Sequence, residues 1–369
     1  MSEIISVRCI HIRHKLSEPE HLIWSGGIVK QRDYIFIKIK TKDKKIGWGE
    51  IGEVYFYPEI YSNVINKKVR DFLLGKNGTK IREIHRDLHV FLISLGYSGM
   101  AKAIISGIDI ALYNLNTRVK DCRTEVPVYA STGFNHNLDK MCEECQKAVD
   151  VGFKNIKIRG GISVNEDIKR IKTARKYLGK SIGLILELSQ PYSYSPYTFS
   201  EIVKICRGVQ KYDVLWVEEP FYPEDFGSYE RLKNRSLIKI GCGENLYTEE
   251  QFRTFGEIID ICQPDVTRMG GITSLRKISR YCKRIALHQF GTSVALYTLC
   301  KNVDKIKNFY MLELDLIENP VRNVIFGNKF NILNGNLIVK DFDISRLDNV
   351  LSMYSGSTTT GKIKHLGEK

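Results

Sequence analysis

From about residue 126 the hydrophobic positions repeat one unit: a short apolar run, a polar loop, then a stretch with helical spacing. The apolar runs are "VPVYAS", "NIKIRG", "GLILELS", "VLWVEEP", "IKIGCGE", "IIDICQPD", "IALHQF" and "FYMLELD". Helical patterns follow nearly all of them, such as "VNEDIKRIKTARKYLG" after the second and "SLRKISRYCKR" after the sixth. Eight buried strands alternating with helices over roughly 190 residues predict a closed parallel barrel of TIM type. The alternative is an open doubly wound sheet, but "RGGIS" after the second strand does not match the glycine-rich phosphate loop of that fold.

Polar residues then fall in a pattern of their own. "VLWVEEPF" ends a core strand in two acids, and carboxylates are almost never buried without partners. Lys157 and Arg159 end the second strand, Glu187 the third, Glu218 the fourth and Glu244 the fifth. Asp265 ends the sixth, His288 the seventh and Glu313 the eighth. One such acid could cap the next helix; seven consecutive ionisable strand ends point to a shared site at the barrel mouth.

Glu187, Glu218 and Glu244 would set three carboxylates side by side, each raising the others' pKa. A hard divalent cation with oxygen ligands resolves that conflict, and Mg²⁺ is the default. Lys157 and Arg159 are expected opposite the acids on one side, with His288 on the other and Asp265 holding its second ring nitrogen. Such a site suits proton removal next to a carboxylate, with the metal holding the enediolate.

Composition narrows the class. Of 369 residues, 43% are hydrophobic and 27% charged, as in globular proteins rather than disordered chains. No apolar run is long enough to span a bilayer, and "MSEIISVRCIHIRHKL" lacks signal-peptide features, so a cytoplasmic protein without membrane partners is expected. The net charge of +14 raises nucleic-acid binding as a rival, but the basic residues are spread without a dense block or motif. Nine cysteines, odd in number and scattered, fit a reducing compartment. Cys142 and Cys145 in "CEEC" have zinc-like spacing but no second pair, and read as helix cysteines. His85 and His89 lie one helical turn apart with no third ligand, and read as helix-face residues.

With these motifs in order, the chain resembles the enolase superfamily, and within it the mandelate racemase group. "GWGEIG" and "SGIDIALYNL" are similar to the family's capping domain, and "NIKIRGG" to its lysine motif. "WVEEPF", "GENLY", "QPDVTRMGGIT", "LHQF" and "LELDLIENPVRN" follow in the family's order. The resemblance implies an α/β protein: a (β/α)7β barrel over residues 126–318 and an α+β capping domain over residues 1–125. That cap would hold a meander ("ISVRCIHI", "DYIFIKIK", "KIGWGEIG") followed by helices, and residues 319–369 would return to it. Cap segments near "SEPEHLIWSGG" and "EVYFYPE" would close over the mouth and select the substrate. The family pattern implies Glu187, Glu218 and Glu244 as Mg²⁺ ligands, His288 and Asp265 as the dyad, and Glu313 as the residue that hydrogen-bonds the substrate carboxylate. It also implies a homo-oligomer.

Three departures bear on the reaction. The usual Asp-x-Asn after the third strand is Glu187-Leu188-Ser189, and the usual Lys-x-Lys is Lys157-Ile158-Arg159. "QPYSYSPYTFSE" is longer than the usual loop and is expected to cover the site. Racemisation needs a base on each face of the reacting carbon, and arginine is a poor base. Dehydration can run from one face. The expected activity is therefore Mg²⁺-dependent dehydration of a sugar acid, gluconate or galactonate for example, to a 2-keto-3-deoxy acid. Racemisation, epimerisation or cycloisomerisation with Lys157 as second base is the alternative, and a non-catalytic scaffold the alternative of another class.

Overall fold

The computed structural model describes residues 2–16, 22–24, 27–52, 57–116, 125–134, 137–235, 238–317, 319, 321–322, 330–339 and 347. Its first part is a cap. Strands β1 (Ile4–Lys15), β4 (Gln31–Thr41) and β5 (Ile46–Ile51) form an antiparallel meander in the order β1-β4-β5, and β2 (Leu22–Trp24) pairs with β3 (Gly27–Val29) in a small hairpin. Alternation along β4 turns Ile35, Ile37 and Ile39 to one side, and a register shift between Ile4 and Ser6 of β1 brings Ile4 and Val7 to the same side, where they pack with the apolar faces of helices Ile81–Phe91 and Met100–Asn116. Helix Met100–Asn116 lies almost on the backbone of β5. A Cβ at Gly49 would stand 1.8 Å from the Gly107 carbonyl oxygen, so only glycine permits that contact.

The barrel follows. Its eight parallel strands are β6 (Glu125–Thr132), β7 (Asn155–Arg159), β8 (Gly183–Glu187), β9 (Val214–Glu218), β10 (Ile240–Cys242), β11 (Ile261–Cys262), β12 (Ile285–Leu287) and β13 (Phe309–Asp315). They pair in chain order, and β13 closes on β6 through Leu312–Val128 to Asp315–Ser131. A helix follows each of the first seven strands, from Leu138–Val151 to Ser293–Cys300, which gives the expected (β/α)7β arrangement. All eight runs read from the sequence are strands. Local chemistry sets the helix starts: Thr198 with Glu201 and Thr248 with Gln251 form capping boxes, and Ser163 and Asn137 accept orphan N–H groups.

Period-two alternation builds the barrel interior in layers. Tyr129, Ile185, Trp216, Ile261, Ala286 and Met311 meet in an apolar plug inside the barrel. Two residues further along the chain from each stand Ser131, Glu187, Glu218, Gln263, His288 and Glu313, all buried. The opposite faces, with Ile156, Ile158, Leu184, Leu186 and Val217, join the main core under the helices. Full burial of each such aliphatic side chain contributes about 1.5–3 kcal/mol.

After the barrel, Asn319 accepts a hydrogen bond from Tyr34 of the cap at 3.1 Å. Strands β14 (Ile332–Leu333) and β15 (Asn336–Ile338) form a hairpin whose second strand runs antiparallel to the start of β6. Most of residues 319–369 lies outside the described residues, as do 17–21, 25–26 and 53–56 of the two expected cap loops. Among the described residues no helix is long and apolar enough to cross a membrane.

Candidate active site

The strand register sets one half of the mouth. Arg159 pairs with Glu187 across β7 and β8, and Glu187 with Glu218 across β8 and β9. Lys157 was expected opposite the acids; it sits among them. Its ammonium lies 2.7 Å from Glu218 Oε1, 2.7 Å from Glu313 Oε1 and 3.1 Å from Glu187 Oε2. The reason is depth: Lys157 starts one layer below Arg159, and a wholly buried ammonium must end on carboxylates. Arg159 Nη1 pairs with Glu187 Oε2 at 3.1 Å, Nη2 donates to Ser131 at 3.2 Å, and the guanidinium lies over Phe134.

Charge follows this geometry. Burial works to lower the Lys157 pKa, but Glu218 and Glu313 overcome it and hold the group above its ordinary value. Burial would likewise raise Glu187, yet Lys157 and Arg159 hold it well below the carboxylate range. Glu218 moves the other way, pushed well above that range by burial and by the Glu187 charge. Its Oε2 accepts from Gln263 Nε2 at 2.5 Å and from Trp216 Nε1 at 3.1 Å.

Glu187, Glu218 and Glu244 each offer an oxygen within 4.8 Å of the others, and all three are buried. This is the one such acidic, histidine or cysteine cluster among the described residues. Glu187 Oε2 receives ion-pair contacts but no hydrogen bond of good geometry. An all-oxygen donor set with a carboxylate oxygen left so fits a hard divalent cation such as Mg²⁺. Glu187 is pinned for that task by Ser189, whose N–H and hydroxyl both donate to Oε1 at 3.0 Å. Ser189 and Glu219, the residues beside these ligands, have φ of 49° and 47°, a left-handed backbone uncommon outside glycine that tends to mark functional sites.

The other half is built on loops. Glu244 follows Gly243, which turns the chain at φ 141° just past β10. Asp265 and His288 also lie beyond their strands, and His288 N–H donates to the Pro264 carbonyl at 3.3 Å. His288 Nδ1 bonds Asp265 Oδ2 at 2.8 Å, while Thr267 donates its N–H and hydroxyl to Asp265 Oδ1 at 2.7 and 2.6 Å. Burial would raise Asp265, but its bond to His288 and the His288 charge outweigh that and keep it low. With Nδ1–H given to an ionised Asp265, Nε2 is the nitrogen that faces the site. It lies 3.2 Å from Glu244 Oε2 and 4.0 Å from Glu313 Oε2. Lys157, Arg159, Glu187, Glu218, Glu244, Asp265, His288 and Glu313 thus come together at one mouth.

The loop after β8 reaches the rim through Tyr192, which donates to Asn245 at 2.8 Å beside Arg268, while Tyr194 is 92% exposed. The remaining sequence candidates lie elsewhere. Cys142 and Cys145 are buried free thiols on helix Leu138–Val151. His85 is buried and bonded to the Gly270 carbonyl and Ser274, so it joins cap to barrel rather than lying on an open helix face.

Several partners escaped the sequence reading. Gln263 and Trp216 hold Glu218, Tyr129 donates to Glu313 at 3.0 Å, and Thr267 holds Asp265. For the first three a signal existed: each shares a strand face, two residues away, with a named or inward-facing residue. Glu50 of the cap lies within the motif "GWGEIG", but nothing in that motif names its partners in the barrel.

Fold and site together define a capped (β/α)7β-barrel protein with an acidic triad, a buried lysine and a histidine–aspartate pair at the mouth. The chain belongs to the enolase C-terminal domain-like family, whose model matches residues 140–342. Residues 4–129 match the mandelate racemase / muconate lactonizing enzyme, N-terminal domain. The chain is similar to the arabinonate dehydratase of Saccharolobus solfataricus, 26% identical over 88% of this chain and 90% of that protein. It is also similar to the D-galactarolactone cycloisomerase of Agrobacterium fabrum, 24% identical over 92% of this chain and 94% of that one. Among solved structures, the 3,6-anhydro-D-galactonate cycloisomerase from Zobellia galactanivorans superposes with a TM-score of 0.80 at 26% identity, covering 94% of this chain and 99% of that one.

Proposed function

We propose that this protein is a Mg²⁺-dependent sugar-acid dehydratase that forms a 2-keto-3-deoxy acid. The observation that carries the reading is the asymmetry of the mouth. On one side His288 is backed by Asp265 at 2.8 Å; on the other, Arg159 stands where a second base would be. Lys157 is tied to three carboxylates, at 3.1 Å or closer. Proton transfer from a single face suits elimination better than inversion. The likeness to an arabinonate dehydratase supports the same class.

In this reading Glu187, Glu218 and Glu244 hold the Mg²⁺. When bound, the ion would neutralise charge that builds on the substrate carboxylate as the neighbouring carbon loses its proton. Lys157 and Arg159 add fixed positive charge beside that carboxylate, and Glu313 hydrogen-bonds it. His288 removes the C2 proton or protonates the departing C3 hydroxyl. The C2–H pair becomes the C2=C3 bond, hydroxide leaves with a proton as water, and the enol tautomerises to the 2-keto acid.

A second reading, cycloisomerisation, uses the same one-sided dyad and is favoured by likeness to two cycloisomerases. A library of acid sugars screened with semicarbazide distinguishes the two. Dehydration gives 2-keto product from at least one aldonate. Turnover of a lactone or anhydro sugar acid without loss of water would instead install cycloisomerisation.

A further inference from the structure

The cap does more than cover the barrel: one short piece of it touches the loop that follows His288 and the threonine that holds Asp265. Glu50, near the end of β5, is buried and reaches into the loop that follows His288. Its Oε1 accepts Thr292 N–H at 2.5 Å; its Oε2 accepts the Thr292 hydroxyl at 2.8 Å and Ala295 N–H at 2.9 Å. A cap carboxylate thereby closes the N-terminus of barrel helix Ser293–Cys300 in trans, alongside that helix's own N-cap residue, Thr292. Thr292 is only four residues past His288. The stretch between is held tightly: Phe290 stacks parallel to the His288 ring at 6.5 Å, and a Cβ at Gly291 would meet Glu50 Oε1 at 2.6 Å.

Two residues after Glu50 the chain meets the other half. A Cβ on Gly52 would stand 2.1 Å from Thr267 Oγ1, the hydroxyl that donates to Asp265. The cap backbone at Gly52 therefore forms a wall behind Thr267, and no other residue fits there without moving it. Asp109 offers a contrast within the same interface. It accepts the N–H and hydroxyl of Thr273 at 2.9 and 2.6 Å, next to the start of helix Gly271–Ile278, but bonds neither Asp265 nor Thr267.

We propose that Glu50 and Gly52 are positioning residues for the His288–Asp265 dyad. Glu50 sets the loop that carries His288, and Gly52 sets Thr267 and through it Asp265. Docking of the cap strand onto the barrel thus aligns the base for proton transfer. The inference rests on the reading of His288 as the proton-transfer group, but its geometry stands without any choice of substrate.

The test reads the dyad directly. The full chain with Mg²⁺ is labelled with ¹⁵N-histidine, and the Nδ1–H resonance of His288 is assigned by its loss in His288→Asn. Glu50→Gln and Gly52→Ala are each expected to shift or broaden that resonance; Asp109→Asn is expected to leave it in place. Gly52→Ala keeps the test open should Glu50→Gln fail to fold. On whichever sugar acid is turned over, Glu50→Gln is expected to lower kcat about tenfold or more, with KM within about threefold, the pattern of a misplaced base. Glu50→Asp, one methylene shorter, recovers part of the loss. An unmoved resonance in the folded Glu50→Gln and Gly52→Ala proteins overturns the proposal. So does an equal shift in Asp109→Asn, which would make the effect general to cap docking. A shifted resonance in a protein that dehydrates no sugar acid would overturn the dehydratase reading and leave the positioning role standing.

Discussion

The two halves of the barrel mouth are held by different means. Strands β7, β8 and β9 each span five residues, and β7 and β8 pair over all five. Lys157, Arg159, Glu187 and Glu218 lie within those strands, so their directions follow from ladder register and the period of two. Strands β10, β11 and β12 span only three, two and three residues, and β11 meets β12 at one pair. Glu244, Asp265 and His288 stand beyond those strand ends, on turns that the ladders do not fix. The directions of Asp265 and His288 come from side-chain hydrogen bonds (Thr267 to Asp265, His288 to Asp265) and from the cap at Glu50 and Gly52. Two of the three triad carboxylates and both cations are built into the sheet, and the pair that would move a proton leans on another part of the chain.

If the acidic triad, with Glu187 and Glu218 on strands and Glu244 on a turn, is a metal site, breaking its strand-held part gives the largest effect. Glu218→Gln is expected to weaken Mg²⁺ binding by more than about 100-fold, beyond what loss of an outer-shell partner costs, and to abolish turnover. Calorimetric titration measures the first, and circular dichroism checks that the barrel core is intact. Parent-like affinity would sink the assignment of the triad.

The loop-held half predicts a different signature. His288→Asn is expected to lower kcat by at least about 10²-fold, the scale of a lost general acid or base, with a far smaller change in KM. Binding survives because Lys157, Glu313 and the acidic triad remain. Should KM rise with kcat unchanged, His288 binds substrate and the contrast between the halves would need redrawing.

Arg159 tests whether the strand-held half has lost a base. Arg159→Lys restores a group that can shed its proton when desolvated, though Glu187 at 3.1 Å from the present guanidinium works against this. A trace of C2 epimerisation in D₂O is expected from the variant, and none from the parent. Efficient epimerisation by the unmutated protein would promote the racemase alternative.

The same contrast explains what could be read from the sequence. The ionisable residues Lys157, Arg159, Glu187 and Glu218 were legible as positions, because alternation fixes which residues face inward and a strand end is visible as the close of an apolar run. The residues on turns were legible as positions, and the His288–Asp265 pairing as a pattern, but not what braces them. Lys157 was misplaced because reach into a neighbouring layer depends on depth and side-chain length, which alternation does not encode. Glu50 lies 242 residues from Thr292, and such contacts leave no local period.

The smallest expected effect separates cap docking from dyad alignment through pH. Burial pushes Asp109 up to about 7 from an ordinary 3.8, against the Thr273 and Ile272 donors and the Arg276 charge. The folded state then binds more protons than the unfolded chain between those values, so this group's contribution is full at low pH and is lost as pH rises through about 7. Glu50, pushed up to about 7 by burial, acts in the same direction. His85 and His89, lowered by burial to about 4 and about 3 from the ordinary 6.5, act oppositely, with an effect that fades as pH rises past 6.5, and Lys102, lowered by burial to about 8, acts oppositely from about pH 8 upward. Between about pH 6.5 and 7 the two acids therefore set the sign at this interface, whose contribution to the melting temperature should fall as pH rises. Asp109→Asn, which keeps an acceptor for Thr273 but cannot ionise, should remove part of that fall, a few degrees at most for a chain of this size. It should do so with kcat unchanged, because Asp109 bonds neither dyad residue. Melting curves of parent and variant at matched pH values measure the difference, and a slope identical in both would mean that Asp109 does not titrate in this window.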